Sequence, residues 1–244
     1  MKRIFDIIFS SIVIILFLPL GLIIVSILKL TGEGEMIYKQ SRIGQYSEPF
    51  GLFKFVTMVK DSPNLGAGDI TIENDPRVLP FGKFLRKTKL NEFPQFINVL
   101  IGDMSLVGPR PNVKRDVDLY SDVEMKLLTV RPGITDFSSI VFSDEGDILE
   151  GVDDPDLSYN QLIRPWKSRL GILYIENQGL LLDIKLILLT LIAIFNKPAV
   201  LNIIVNELKK LTTDPELIQI CKRETDLKPA KPPGLHEVVK SRDL

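Results

Sequence analysis

The chain has 244 residues, of which 45% are hydrophobic, and a formal net charge of −1 at pH 7. This balanced charge argues against a nucleic-acid partner, because nucleic-acid binding needs a basic surface that displaces counterions from phosphates. The single cysteine, Cys221, excludes an internal disulfide, and the single histidine, His236, excludes a multi-histidine metal site. Any metal would be held by carboxylate and phosphate oxygens, which favours Mg²⁺ or Mn²⁺.

The first strong pattern is an apolar run over residues 7–28 that contains no charged residue. Its length matches the roughly 20 residues of a membrane helix. Lys2 and Arg3 resemble the positive end of a secretory signal peptide. No small-residue cleavage site follows, however, and the run is long for a signal core. We therefore predict a retained membrane segment over residues 1–30.

Pro19 lies near the middle of this run, where it removes a backbone donor and clashes with the preceding turn. The halves on either side correspond to roughly 18 and 14 Å of helix, so neither crosses a hydrocarbon core of about 30 Å. Basic residues flank both ends of the run: Lys2, Arg3, Lys29, Lys39 and Arg42. The positive-inside rule is satisfied if both ends are cytoplasmic. These features predict a re-entrant helix-break-helix, with a kinked spanning helix as the alternative.

The rest of the chain predicts short elements of both kinds. Residues 36–39 and 49–58 favour strands, and the turn-like residues 44–47 between them complete a small β-hairpin. A loop rich in Pro, Gly, Asn and Asp is predicted at residues 61–68. Apolar periodicity predicts helices at residues 80–87, 90–101, 120–128 and 180–195. We therefore expect an α+β fold that is mainly helical.

The predicted helix over residues 180–195 is strongly apolar but is interrupted by Asp183 and Lys185. This pattern suits an amphipathic helix at the membrane interface, and an ordinary core helix is an equal alternative. The Lys- and Pro-rich tail from Lys228 onward reads as a linker or a disordered end.

Residues 89–111 combine the groups that phosphate chemistry uses. They include a carboxylate at a predicted helix start (Glu92), another at a glycine turn (Asp103) and a guanidinium between two prolines (Arg110). The planar fork of Arg110 suits bidentate contacts with phosphate. A carboxylate, a metal and an arginine around a phosphate are what phosphoryl transfer needs. Three further cations would contribute if the fold gathers them: Lys54, Arg77 and Arg131. The alternative is that these charges are solvated or form salt bridges.

The segment that contains residues 89–111 resembles the signature of the bacterial sugar transferases that act as monotopic polyprenyl-phosphate phosphoglycosyl transferases. The matching segments are residues 86–96, 98–105 and 107–111. Other segments resemble the family in the same order: residues 2–6, 40–44, 53–58, 74–77 and 131–135. The resemblance therefore covers most of the chain.

The resemblance implies where the protein acts. The family uses a re-entrant membrane helix that is broken at a proline, here at Pro19, although the usual Ser-Pro pair is Leu18-Pro19. It implies membrane lipid as a partner, and an active site at the cytoplasmic face of the bacterial inner membrane. The expected division is a re-entrant segment at 1–30, a cytoplasmic transferase domain at 31–200 with interfacial helices around its active site, and a C-terminal extension at 201–244. A homodimer is left open.

The resemblance also implies a two-step reaction. The family's Asp attacks a UDP-sugar, releases UMP and holds the sugar phosphate until undecaprenyl phosphate accepts it, which initiates glycoconjugate, exopolysaccharide or O-antigen assembly. By position, Asn91 and Glu92 are the catalytic residues. Glu92 would bind Mg²⁺, with Mn²⁺ as a substitute, while Arg110 would contact phosphate and Lys54 would lie near the active site. Arg77 and Arg131 belong to matching segments.

The nucleophile position departs from the family, because it holds Asn91 instead of Asp. A carboxamide is a poor oxygen nucleophile, which puts the covalent step in question. Three explanations stay open. First, the Asn is an engineered change. Second, it is natural, and the protein either uses another carboxylate such as Asp103 or transfers the group directly to the lipid phosphate. Third, the protein is catalytically silent and only binds nucleotide sugar or lipid phosphate. Residues 136–142 also differ from the common family form, so the sugar is not predicted.

Overall fold

The structure is a computed structural model and describes residues 1–32, 34–65 and 75–241. The family-like segment at 74–77 begins at Asn74, which lies outside the described residues, and the predicted loop at 61–68 is described only to residue 65. The described chain is mainly helical, with a small β-hairpin and an apolar N-terminal helix, as predicted.

The helices are α1 (Lys2–Thr31), α2 (Pro80–Lys87), α3 (Gln95–Ile101), α4 (Lys114–Val117), α5 (Phe137–Val141), α6 (Glu145–Ile148), α7 (Pro155–Ser158), α8 (Arg164–Asn177), α9 (Leu180–Leu211) and α10 (Pro215–Cys221). The strands are β1 (Ile37–Ile43), β2 (Pro49–Phe55), β3 (Ser105–Val107) and β4 (Gly133–Thr135).

The hairpin β1–β2 is antiparallel, with Ile37 opposite Phe55 and Ile43 opposite Pro49. The second sheet is a parallel pair in which Ser105 lies opposite Gly133. Just after β3, the backbone at Gly108 crosses close to the backbone at Gly133. A Cβ atom on Gly133 would lie 2.1 Å from the Gly108 nitrogen. Glycine is therefore required at this crossing, which determines where the chain turns toward Arg110.

The prediction of one helix over residues 90–101 is wrong for the first half of this range. Leu90–Glu92 form a 3-10 turn, and α3 begins only at Gln95. Pro94 explains the interruption, because it has no N–H to donate to the preceding turn but is tolerated where a helix starts. The helix predicted over residues 120–128 is likewise replaced by a 3-10 segment, Glu124–Thr129.

The helix predicted over residues 180–195 extends further than expected. α9 continues to Leu211 through a non-helical residue, Asn196, two positions before Pro198. The helix crosses the domain boundary predicted between residues 200 and 201. Val200 on one side of it and Ile204 on the other are both fully buried. The three-part division of the chain stays a prediction.

The core forms where α5, α8 and α9 meet. Its fully buried side chains include Phe137, Trp166, Leu170, Leu186, Ile204 and Leu208. The described part of the tail, from Lys228 to Ser241, has no regular secondary structure, but it is attached to the rest of the protein. The Ala230 amide donates to the Gln161 carbonyl at 2.9 Å, and the Gln161 side chain donates to the Val239 carbonyl at 2.7 Å. The tail is therefore not a free linker.

The N-terminal helix α1 runs through Pro19 without interruption, so the predicted break does not divide it into two helices. It contacts the rest of the protein at its start, where Arg3 reaches α3, near its middle, where Phe17 meets Phe93, and near its end, where Leu28 packs with Leu85. Many side chains between these contacts are apolar and exposed. Both α1 and α9 are long and apolar enough to cross a membrane. The re-entrant arrangement and the interfacial helices stay predictions.

A buried ion pair joins the segment before β4 to α8. Arg164 donates to the Glu124 carboxylate at 3.0 and 2.6 Å, and Ser168 donates to it at 2.7 Å. Glu124→Ala would leave the Arg164 charge buried without this partner. We expect the free energy of unfolding, measured by chemical denaturation in detergent, to fall by about 3–5 kcal/mol. Lys114→Ala removes an exposed ion pair with Asp118 and should change the free energy of unfolding by about 1 kcal/mol or less. Equal effects of the two substitutions would contradict this view of the buried pair.

Candidate active site

The centre of the site is an ion pair between Glu92 and Arg110. Arg110 Nη2 donates to Glu92 Oε1 at 2.7 Å, and Arg110 Nη1 donates to the Ile134 carbonyl at 3.0 Å. The Arg110 side chain is 31% exposed and the Glu92 side chain 20%. The pair is therefore fixed by the protein but can be reached from outside.

Local backbone constraints explain the position of Arg110. The residue follows β3, and the chain between them is tied to β4 because the Gly108 amide donates to the Thr135 carbonyl at 3.0 Å and the Gly133 amide to the Pro109 carbonyl at 3.0 Å. The prolines at 109 and 111 further restrict the backbone on either side. The backbone at Arg110 therefore has little freedom left to lose if the side chain binds a ligand.

Lys54 joins this pair from the hairpin. Its Nζ donates to Gln40 Oε1 at 3.2 Å, and Arg42 Nη2 donates to the same oxygen at 3.0 Å. Arg42 Nη1 also donates to the Pro111 carbonyl at 3.2 Å, which connects the hairpin to the segment that carries Arg110. Two cations therefore share one neutral amide oxygen beside the ion pair.

The pKa shifts at the site reflect burial and the electrostatic coupling of neighbouring charges. Burial and the neighbouring Arg42 lower the pKa of Lys54 to about 7, although Glu92 opposes the shift. Burial alone would raise the pKa of Glu92, but Arg110 and Lys54 outweigh it and lower that pKa to about 2. Burial also lowers the pKa of Arg86, although the carboxylates of Asp75 and Glu92 favour its charged form and oppose this shift. Glu92 thus stays ionised beside Arg110 and Lys54. Glu145 and Asp136 add smaller electrostatic stabilisation of the Arg110 charge. The positive potential of the clustered cations favours an anionic ligand.

Two predicted phosphate ligands lie outside this cluster. Arg77 is 6% exposed, and its guanidinium binds the Asp75 carboxylate at 2.6 Å and the Ser62 carbonyl at 2.8 Å. Arg131 is exposed, and its side chain makes no hydrogen bond or ion pair with Glu92 or Arg110 among the described residues. The structure therefore gathers Lys54, Glu92 and Arg110, but gives Arg77 a structural partner and leaves Arg131 apart.

Asn91 is buried in the 3-10 turn directly before Glu92. It is 8% exposed, and its Oδ1 atom is buried without a hydrogen-bond partner, as is the Nε2 atom of Gln95. The ring of Phe93 lies 5.3 Å from that of Phe17 in α1. The candidate active site is therefore adjacent to the middle of the apolar helix, close to Pro19.

The structure does not bring Asp103 to this site. Asp103 follows the C-terminal end of α3 and accepts a hydrogen bond from Asn98 at 3.2 Å. Glu92 precedes the other end of α3, which has seven residues and is about 10 Å long. Asp103 is therefore poorly placed to replace the nucleophile. The described residues also contain no group of three or more Asp, Glu, His or Cys side chains that could hold a metal.

The sequence prediction missed Gln40 and Arg42 as parts of the site. Both lie in a family-like segment, and residues two apart on a strand share a face. That spacing was the available signal. Their proximity to Lys54 depends on the register of the hairpin, in which Gln40 pairs with Leu52 and Tyr38 with Lys54.

Fold and site together define a mainly helical protein with a cluster of basic residues around Glu92 beside an apolar helix. A sequence profile of the bacterial sugar transferases matches residues 1–197, and the chain belongs to this family. It is 36% identical over 203 residues to the UDP-glucose:undecaprenyl-phosphate glucose-1-phosphate transferase of Klebsiella pneumoniae, a match that covers 81% of this chain and 41% of that protein.

Two other relatives have different descriptions. The exopolysaccharide production protein ExoY of Rhizobium meliloti (strain 1021) is 36% identical over 148 residues, covering 55% of this chain and 66% of the relative. The UDP-N-acetylgalactosamine-undecaprenyl-phosphate N-acetylgalactosaminephosphotransferase of Aeromonas hydrophila is 35% identical over 194 residues, covering 78% and 42%. The matches thus span from about two fifths to two thirds of the length of these curated relatives.

The lowered pKa of Lys54 gives a direct prediction. An amine reacts with acylating reagents in its neutral form, so labelling of Lys54 should increase as the pH rises through about 7. Arg42→Gln removes a cation that lowers the pKa, and should move the midpoint to higher pH. Glu92→Gln removes the carboxylate that raises it, and should move the midpoint to lower pH. Mass spectrometry of the labelled peptides, with exposed Lys126 as the internal reference, measures these midpoints. Shifts in the opposite directions would contradict the assigned electrostatics.

Proposed function

We propose that the protein is a phosphoglycosyl transferase that transfers a sugar 1-phosphate from a UDP-sugar to undecaprenyl phosphate, releases UMP and initiates glycoconjugate, exopolysaccharide or O-antigen assembly. Family membership and the substrates in the relatives' names support the reaction class. The observation that carries the proposal is the reachable Glu92–Arg110 pair with Lys54 beside it.

Charge complementarity supports a diphosphate donor and a phosphate acceptor. The planar guanidinium of Arg110 can donate to two phosphate oxygens. Lys54 supplies a compact charge, and Arg42 adds positive potential from the same side. Such fixed donors stabilise charge that develops as the sugar phosphate leaves UMP. These residues therefore orient both anionic substrates and lower their mutual repulsion.

Mg²⁺, or Mn²⁺ in its place, fits this site only if the substrate supplies most of the ligands. Glu92 is ionised and offers a carboxylate, whereas Asn91 offers a weaker carboxamide oxygen that has no hydrogen-bond partner. Mg²⁺ commonly binds one or two carboxylates together with substrate phosphates. When bound, the ion would neutralise phosphate charge. We therefore propose that Glu92 is its protein ligand.

A second candidate function is a catalytically silent membrane protein that binds nucleotide sugar or lipid phosphate. The carboxamide at position 91 favours it, because a neutral amide is a poor nucleophile. The distance of Asp103 from Glu92 along α3 removes the most obvious substitute. Direct transfer between the two bound substrates is the remaining route to activity, and it needs no protein nucleophile.

The contacts of α1 support a re-entrant or otherwise non-spanning position in the membrane. Arg3, Phe17 and Leu28 all contact the rest of the protein. The stretches between successive contacts are about 20 Å of helix or less, shorter than a hydrocarbon core of about 30 Å. Both ends of α1 therefore fit one side of the membrane, which we propose is the cytoplasmic face of the bacterial inner membrane.

The first half of α9 supports an additional contact with the lipid interface. Its exposed apolar side chains recur at helical spacing: Leu181, Ile184, Leu188, Leu191 and Phe195. The opposite face is anchored, since Asp183, Leu186 and Leu189 are buried. This asymmetry fits an interfacial helix. A homodimer stays a prediction.

Release of UMP tests the proposed function. The protein and its Asn91→Asp variant would be reconstituted with undecaprenyl phosphate and supplied with a panel of UDP-sugars. We expect UMP from at least one donor, and faster release by Asn91→Asp because it restores an oxygen nucleophile. In the more active form, Arg110→Ala should lower kcat/KM by about 10²–10³-fold, since it removes a donor to the developing charge.

Lys126→Ala is the matched control, because it removes an exposed cation distant in sequence from the cluster, and it should keep the parent rate. If neither form releases UMP from any donor, the transferase proposal is wrong. Donor binding without product in both forms would support the silent binding protein.

The position of α1 can be tested separately. In a Cys221→Ser background, single cysteines would be placed ahead of Met1 and at Glu48, an exposed residue of the hairpin turn. A membrane-impermeant maleimide should label both from the cytoplasmic side of vesicles and neither from the opposite side. Labelling of the two positions from opposite sides would show that α1 spans the membrane.

A further inference from the structure

The first two turns of α1 carry three charged residues that contact the two segments flanking the site. We call Lys2, Arg3 and Asp6 the N-terminal clasp. The Asp6 carboxylate is 2% exposed and accepts the Leu106 amide at 3.1 Å and the Ser105 hydroxyl at 2.9 Å. A buried carboxylate is costly unless it is hydrogen-bonded. Asp6 therefore fixes β3, the strand that leads to Arg110.

Lys2 holds the end of the same strand. Its Nζ donates to the Val107 carbonyl at 3.0 Å and to the Tyr174 hydroxyl at 3.0 Å, and it pairs with the Asp183 carboxylate at 2.5 Å. Tyr174 donates to Asp183 at 2.6 Å. These contacts join α1, β3, α8 and α9 within a few ångströms, only three residues before Arg110.

Arg3 holds the other segment. Its guanidinium donates to the Val99 carbonyl at 2.5 Å and to the Leu100 carbonyl at 2.8 Å. These carbonyls belong to the last turn of α3, where helix carbonyls lack intrahelical partners and where positive charge is favourable. The opposite end of α3 follows Asn91 and Glu92. Arg3 therefore fixes the helix that positions Glu92.

We propose that Lys2, Arg3 and Asp6 are positioning residues that set the Glu92–Arg110 geometry, so that the seating of α1 and the shape of the active site are coupled. This inference rests on the proposed function. Simple anchoring of an apolar helix does not require such contacts, because Ile24 and Leu28 pack at the other end of α1 without any charge. The clasp instead connects β3 and α3 to a single rigid turn of helix.

Asp6→Asn tests the coupling with nearly unchanged side-chain volume. It removes the charge and one carboxylate acceptor from Ser105 and Leu106. The substitution is made in whichever form, the parent protein or Asn91→Asp, releases more UMP. We expect the variant to stay in the membrane fraction and to show faster hydrogen exchange of the amides of residues 104–108. We also expect kcat to fall by about 10- to 100-fold with a smaller change in KM, because slight misplacement of catalytic groups is costly. Lys29→Gln is the control, since it removes an exposed charge at the opposite end of α1, and it should change neither readout.

Faster exchange with an unchanged kcat would overturn the proposal and leave Asp6 with a purely structural role. Unchanged exchange would overturn it as well. If Asp6→Asn does not fold, Arg3→Lys is the second variant, because it keeps the charge but cannot reach both carbonyls with a planar fork. The same loss of kcat with retained membrane binding is then expected, and an unchanged kcat overturns the proposal.

The inference can fail separately from the proposed function. If neither residue at position 91 gives UMP, the transferase proposal fails, and the clasp is then judged by the binding of UDP to the parent protein and to Asp6→Asn. Weaker UDP binding by the variant would support the coupling, whereas equal binding would overturn it.

Discussion

The burial of the Asp6 carboxylate is the constraint on which the rest of the structure depends. A carboxylate enters a protein interior only when hydrogen bonds replace its water, and here the replacements come from Leu106 and Ser105 of β3. This requirement fixes both the rotation and the depth of α1 against the protein. The contact of Phe17 with Phe93 and the packing of Leu28 then follow along the same helix, and the remaining apolar surface of α1 faces outward.

Burial and neighbouring charges together explain the pKa shifts of Glu92 and Lys54. Arg110 and Lys54 outweigh the effect of burial on Glu92, so its pKa falls, while burial, assisted by Arg42, lowers the pKa of Lys54. A bound diphosphate would reverse the second effect, because its negative charge favours the protonated amine. If the proposed diphosphate donor binds here, its binding near pH 7 should therefore be linked to uptake of a proton by Lys54.

Local patterns in the sequence predicted some elements correctly, but they missed the 3-10 segments at Leu90–Glu92 and Glu124–Thr129. The helix over residues 80–87 was predicted with its observed bounds, because Pro80 at its first position and its amphipathic spacing act within one element. Spatial relations were harder. The pairing of Arg77 with Asp75, the separation of Asp103 from Glu92 and the shared acceptor Gln40 all depend on chain packing. In the sequence, Lys2 and Arg3 were used to predict the orientation of the apolar segment in the membrane. In the structure, Lys2 donates to the Val107 carbonyl and Arg3 donates to a carbonyl of α3.

Under the proposed function, position 91 would determine the balance between substrate binding and chemistry at this site. Asp at this position would place a second negative charge next to Glu92 and would offset more of the surrounding positive charge. Asn91 lacks that charge, which would favour retention of the proposed anionic donor, and it lacks the carboxylate oxygen that would attack phosphorus in the family's reaction. Its buried Oδ1 atom also lacks a hydrogen-bond partner, a cost of about 1–3 kcal/mol. Under the proposed function, the neutral side chain would strengthen the electrostatic attraction for the donor and would slow or reroute the transfer step.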